Sequence, residues 1–192
     1  MGSSSSRESR ITREMLEEYA QLTYLNKAEI LHVAKLFKSL LPRGTEELQH
    51  QRIPVEEILK VVPQLRYNPF RDSILCVFST DNNGTMSFDD LIDLFSVMSE
   101  NCPGDVKAAW AFKIFDFDED NQLSLNDLIK VVEKLTGLKN NEPRIDRKSS
   151  KFIAQVIIQE LDLVMNGSVG VQEFVHTVSR MPEFAHTFRI KI

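Results

Sequence analysis

Residues 116–127 read DFDEDNQLSLND, and five of the twelve side chains are carboxylates. Oxygen donors at alternating positions suit a hard cation. A twelve-residue loop between two helices wraps such an ion with groups at positions 1, 3, 5, 7, 9 and 12, the seventh through its backbone carbonyl. Here those positions are Asp116, Asp118, Asp120, Gln122, Ser124 and Asp127, and all six can supply oxygen. Position 6 must turn sharply, and Asn121 stands where glycine is usual; asparagine is the next most tolerant residue of a left-handed backbone. Carboxylates crowded at positions 1, 3 and 5 repel one another without a cation among them, so the stretch is read as a metal loop and not as a solvated acidic turn. Asp127 departs from the usual glutamate at position 12. Its side chain is shorter by one C–C bond, about 1.5 Å, so it should reach an ion through one oxygen only. Six short ligands suit Mg2+, whereas Ca2+ prefers a seventh. The expectation is a mixed magnesium and calcium site of modest calcium affinity.

Two further stretches share the pattern with losses. DLVMNGSVGVQE at 162–173 keeps Asp162, Asn166, the Ser168 carbonyl and Glu173, with Gly167 at the turn, but places Val164 at position 3. It is read as a weak or lost metal site, a retained and mostly empty loop; weak calcium binding, with a water admitted at Gly170, is the alternative. STDNNGTMSFDD at 79–90 has a neutral Ser79 at position 1, followed by Asp81, Asn83, Gly84, Ser87 and Asp90. A neutral first ligand weakens it, and it is read as structural. At position 8, Met86, Leu123 and Val169 should point inward, the last two pairing with each other.

These loops need helices on both sides. Apolar residues recur at helical spacing in nearly every segment, as in Phe88, Leu91, Ile92, Phe95 and Met98. Helices are expected at about 12–23, 27–41, 69–78, 88–99, 105–115, 125–136, 149–161 and 171–180. Asn26 with Glu29, and Asn68 with Pro69, mark two of the starts. FDDLIDLFSVM, LNDLIKVVEKL and VQEFVHTVSRM share their apolar positions, and each follows one of the three loops. Two helices also flank LPRGTEELQHQRIP, which lacks ordered acidic ligands and would be a degenerate fourth unit. ENCPGD at 100–105 punctuates the chain, and 137–148 reads as a mobile linker. The expected organisation is a flexible N-terminus at 1–11, lobes at 12–100 and 101–182, and a tail at 183–192.

Composition narrows the function classes. The 192 residues are 42% hydrophobic, enough for cores, and the net charge of −5 with no basic face argues against nucleic acid. Cys76 and Cys102 follow neither a CxxC spacing nor a secreted disulfide framework, which points to a reducing, intracellular compartment. No window holds the roughly 18 apolar residues of a membrane span, so a soluble or peripherally attached protein is expected. His32, His50, His176 and His186 lie far apart with no nucleophile or carboxylate at motif spacing, and no active site is read.

NPFRDSILCVFS at 68–79, FDDLIDLFSVMSE at 88–100, AFKIFDFDED at 111–120 and MPEFAHTFRIKI at 181–192 resemble the calcium- and integrin-binding proteins, within the EF-hand superfamily, over almost the whole chain. The resemblance implies an all-α fold: two lobes of paired EF-hands, an extra N-terminal helix and a C-terminal tail segment. It implies degenerate hands 1 and 2, a third hand with aspartate at position 12, as Asp127 provides, and a fourth that usually binds calcium, from which Val164 departs. It also implies a protein that is not an enzyme. Family members bind amphipathic helices of membrane proteins, notably integrin α tails, and the wording here is similar to members that serve as auxiliary subunits of transmembrane channel-like proteins in mechanosensory transduction. The rival readings are a calcineurin B-like regulatory subunit of a soluble enzyme and a weak cation buffer.

MGSSSS matches the pattern for myristate on Gly2, with Arg7, Arg10 and Arg13 as a second, electrostatic signal. A serine tail or tag remnant is the plainer reading. Acylation would place the protein at the inner face of the plasma membrane. Trp110, Ile114, Leu128, Leu135, Phe152 and Phe174 flank loops three and four and form a candidate partner groove, although each alone reads as ordinary core. Met181, Phe184, Phe188 and Ile190 put bulky apolar groups on a tail that needs a surface to cover.

Overall fold

The structure, a computed structural model, describes residues 11–42, 48, 50–139 and 142–190. Among these, the elements in chain order are α1 (Arg13–Leu22), α2 (Lys27–Leu40), β1 (Arg52–Pro54), α3 (Val55–Val61), α4 (Pro63–Arg66), α5 (Arg71–Phe78), β2 (Thr85–Ser87), α6 (Phe88–Val97), α7 (Gly104–Phe115), β3 (Gln122–Leu123), α8 (Leu125–Thr136), β4 (Leu138–Lys139), β5 (Glu142–Pro143), α9 (Arg147–Leu161), β6 (Val169–Gly170), α10 (Val171–Val178) and α11 (Pro182–Thr187). The fold is all-α in class. Its strands are two or three residues long and join the loops in antiparallel pairs, β1 with β2, β3 with β6 and β4 with β5.

Local chemistry sets the helix starts. Asn26 caps α2 by accepting from Ala28 and Glu29 N–H at 2.9 and 3.0 Å, while the Glu29 carboxylate takes the Asn26 N–H at 2.7 Å. Asn68 accepts from Phe70 N–H at 2.8 Å, so a turn precedes α5 and the helix begins at Arg71, not 69. Pro63 brings no amide donor and splits the segment after β1 into α3 and α4. These two supply the helix expected after LPRGTEELQHQRIP, and they bury Ile58 and Leu65 completely. Gly137, at φ 74°, caps the end of α8. Beyond it, the linker expected at 137–148 carries the β4–β5 hairpin, and α9 starts at Arg147, two residues early, because Asp146 caps it.

Two compact units result. The N-terminal unit takes the described parts of 1–66, 78–101 and 190–192, and the C-terminal unit takes 67–77 and 102–189. This corrects the expected lobes at two places. Residues 67–77 group with the C-terminal unit, where the Phe70 ring lies 5.0 Å from Phe115 and Lys134 donates to the Pro69 carbonyl. Ile190 leaves the tail and groups with the N-terminal unit, donating its N–H to the Met98 carbonyl at 3.1 Å.

Each unit has its own core. Phe37, Phe88 and Phe95 are buried in the N-terminal unit, with Phe37 and Phe88 edge to face. In the C-terminal unit α7, α8, α9 and α10 converge on Ala111, Phe112, Leu128, Ala154 and Phe174. Inside each loop pair the position-8 side chains meet across the strands. Leu123 faces Val169 and Met86 faces Ile53, the members of the first pair being fully buried. Arg52–Pro54 is thus the strand of a degenerate hand paired with the 79–90 loop.

Candidate functional site

Three loops share one backbone. Positions 4 and 6 have positive φ in each: Asn82 and Gly84, Glu119 and Asn121, Met165 and Gly167. Position 9 is then a helix N-cap and position 12 the third helical residue, so the position-12 carboxylate folds back on the cap. Ser87 with Asp90, Ser124 with Asp127 and Gly170 with Glu173 all do this. Loop shape is independent of ligand content; what differs is where the carboxylates point.

In the 116–127 loop, oxygens of Asp116, Asp118 and Asp120 lie within 4.8 Å of one another. Asp116 is buried and accepts from Asn121 N–H at 2.9 Å. Burial and the neighbouring Asp120 carboxylate hold its carboxyl above the usual range despite that bond. Asp127, fully buried, commits Oδ2 to Ser124, whose N–H and hydroxyl lie at 3.1 and 2.5 Å. The other oxygens, Asp116 Oδ1 and Asp127 Oδ1, are buried with no hydrogen bond. The Lys130 ammonium stands 3.8 Å from Asp127 Oδ1, too far to donate. Two orphaned anionic oxygens beside a carboxylate cluster fit a divalent cation, since burying such atoms unpartnered is costly. Asp116, Asp118, Asp120, the Gln122 carbonyl and Asp127 would hold calcium or magnesium, which supplies positive charge to neutralise the cluster. Ser124 is engaged as the cap, and the Gln122 side chain accepts from Ser168 of the neighbouring loop at 3.0 Å.

The 162–173 loop closes on itself. Asp162 accepts from Asn166 and Gly167 N–H at 3.1 and 2.7 Å. Glu173 takes Gly170 N–H at 2.8 Å and Val164 N–H at 3.0 Å. The amide of the residue that lost the ligand thus binds the position-12 carboxylate, while the Val164 side chain is 66% exposed. Asn166 Oδ1 accepts from the Ser168 N–H at 3.0 Å.

The 79–90 loop holds a residue that the sequence reading missed. Arg52, from β1, sends its guanidinium into the loop, with Nε 3.0 Å from Asp81 and Nη2 3.1 Å from Asp90. Burial pushes the Asp90 carboxyl up, but the Thr80 hydroxyl, Ser87 and Arg52 together hold it below the usual range. Strand pairing of Arg52 with Ser87 was the signal available, but it becomes visible only once β1 is recognised.

The six candidate groove residues do not share one surface. Ile114, Leu128 and Phe174 are buried, the last two within the C-terminal core; Trp110 is partly exposed under the Lys113 ammonium; Leu135 and Phe152 are open to solvent. Helical spacing marks both core and surface faces, and only packing separates them: it took Leu128 and Phe174 into the core of α7 to α10 and left Leu135 and Phe152 outside. Phe184 and Phe188, stacked at 5.4 Å, pack against that core from α11 and the residue after it, and the Lys107 amine donates to the Ala185 carbonyl at 3.2 Å. Neither Cys76 nor Cys102 is in a disulfide, and burial pushes the Cys102 thiol up to about 11. Among the described residues no helix is long and apolar enough to cross a membrane. Gly2, Arg7 and Arg10 lie outside the described residues; Arg13 pairs with Glu17 at 3.2 Å.

A family model for an EF-hand domain pair matches residues 105–179, which hold the two C-terminal loops. Curated relatives include calcium and integrin-binding family member 2 of Drosophila melanogaster, 38% identical over 94% of this chain and 96% of the relative. Human family member 2 is 32% identical with the same coverage, and human family member 3 is 34% identical over 94% of this chain and 96% of its own length. Full-length similarity at this level, carried by the loop geometry above, means that the chain belongs to the calcium and integrin-binding family.

Proposed function

We propose that this chain is a calcium-binding regulatory adaptor whose C-terminal unit takes up an amphipathic helix from the cytoplasmic part of an integral membrane protein, in exchange for its own α11. The observation that carries this reading is the seat of that helix. α11 is six residues long and buries none of them fully, yet Phe184 and Phe188 rest on the C-terminal core. Burying a whole phenylalanine contributes roughly 1.5 to 3 kcal/mol, these two are only partly covered, and ordering the tail opposes the gain. A longer helix bringing more apolar area displaces so light a clamp. The relatives' names put an integrin first among partners; an integrin α tail is therefore the leading ligand, and a helix of a transmembrane channel-like protein, suggested by the sequence resemblance, is the second. Myristate on Gly2, with Arg7, Arg10 and Arg13, would hold the adaptor at the inner face of the plasma membrane, because one acyl chain alone binds only marginally.

The test is fluorescence anisotropy of a labelled integrin α cytoplasmic-tail peptide against the full chain and a chain lacking 183–192, both in calcium. Deletion should tighten binding about tenfold, equivalent to about 1.4 kcal/mol. Weaker binding would make the tail part of the binding surface, and failure of both chains to bind an integrin or channel peptide would overturn the adaptor reading.

A further inference from the structure

The guanidinium of Arg52 meets the 79–90 loop at the oxygens that define a cation sphere. Nε lies 3.0 Å from Asp81, at position 3, and donates to the Thr85 hydroxyl at 2.9 Å. Nη2 donates to the Thr85 carbonyl, the position-7 ligand, and to Asp90 at position 12, each at 3.1 Å. The remaining donors turn to the chain itself: the Ser79 hydroxyl donates to the same Thr85 carbonyl at 2.8 Å, Asn83 accepts from Thr85 N–H at 3.1 Å, and Thr80 donates to the second oxygen of Asp90. The contrast with 116–127 is direct. There two buried carboxylate oxygens are without partners, whereas here Asp90, 4% exposed, has both oxygens engaged.

We infer that Arg52 is a tethered cation: it takes the place of a divalent ion in the second hand, so the N-terminal unit keeps one fold whatever the calcium or magnesium level, and cation response is confined to the C-terminal unit. Chemistry favours the arginine here. Its planar fork reaches a carboxylate, a carbonyl and a second carboxylate at once and stays charged at every accessible pH. Being covalently attached, it loses no translational freedom on binding and cannot be removed by chelation. The inference goes beyond the adaptor reading and does not depend on it.

The experiment follows the Gly84 and Thr85 amide resonances of the full chain during calcium titration, beside Arg52→Gln and Arg52→Lys. In the native chain these amides should stay in place up to about 1 mM calcium, the range of the weakest calcium modules, while amides of 116–127 move. Arg52→Gln should lower Tm in EDTA by roughly 5 °C, and millimolar calcium should then shift Gly84 and recover part of the loss. Arg52→Lys, which keeps a charge but not the fork, should fall between. Movement of Gly84 in the native chain at calcium levels that fill 116–127 would overturn the inference, even if Arg52→Gln does not fold. So would a Gln variant as stable in EDTA as the native chain.

Discussion

Asp118→Asn should raise the stability of the cation-free protein and lower its cation affinity, two effects of opposite sign from one isosteric change. The carboxylate oxygens of Asp116, Asp118 and Asp120 lie within 4.8 Å of one another, and Asp118 and Asp120 are exposed, so their repulsion is screened by water. At that distance each pair costs about 0.9 kcal/mol in bulk water, and physiological salt roughly halves it. Removing the Asp118 charge relieves two pairs, for a gain of about 1 kcal/mol, or roughly 2 to 4 °C in Tm for a chain of this size. With a cation present, losing one anionic ligand should weaken binding about tenfold and remove about 1.4 kcal/mol of ligand-linked stabilisation. Thermal unfolding by circular dichroism in EDTA and in saturating calcium reads both. The variant should melt higher than the native chain in EDTA and lose or reverse that lead in calcium. A lower Tm in EDTA would show that the cluster is not strained by its own charge, and an undiminished calcium shift would remove Asp118 from the ligand set.

Asp127→Glu lengthens the position-12 side chain and should let both carboxylate oxygens reach the cation, moving selectivity from magnesium toward calcium; calorimetry of the native chain should find one dominant site with a calcium Kd of about 10⁻⁵ M, and an unchanged calcium-to-magnesium ratio in the variant would place Asp127 outside the ligand set. The N-terminal unit should be acid-sensitive through Asp90. Because its folded pKa lies below the ordinary 3.8, the unfolded chain binds the proton first, so the stabilisation is complete above that value and fades as pH falls through the folded pKa. Asp90→Asn should therefore cost stability at neutral pH and flatten the dependence of Tm on pH below about 4; an equally steep acid limb would assign it to other groups.

Legibility divided along the range of the interactions. Loop 116–127, its turn at Asn121, the Asn26 cap and the inward pair Leu123 and Val169 rest on contacts between residues close in sequence or between repeats in register, and residue type with spacing was enough to place them. Sequence by itself also determined that the 162–173 loop lacks a ligand. Tertiary structure decided how that loop compensates, since the bond from Val164 N–H to Glu173 depends on the loop closing. It decided which apolar faces became core, because Leu128 and Leu135 sit at equivalent helical spacing and only packing separates a buried side chain from one 64% exposed. It also decided the cation of the second hand: Arg52 stands 38 residues before Asp90 in a stretch with no ligand pattern, and only the pairing of β1 with β2 brings a charge from one hand into the loop of the other. Short-range geometry is written in residue type and spacing, whereas a partner supplied from a distant segment exists only after the chain has paid the entropy of closing the loop between them.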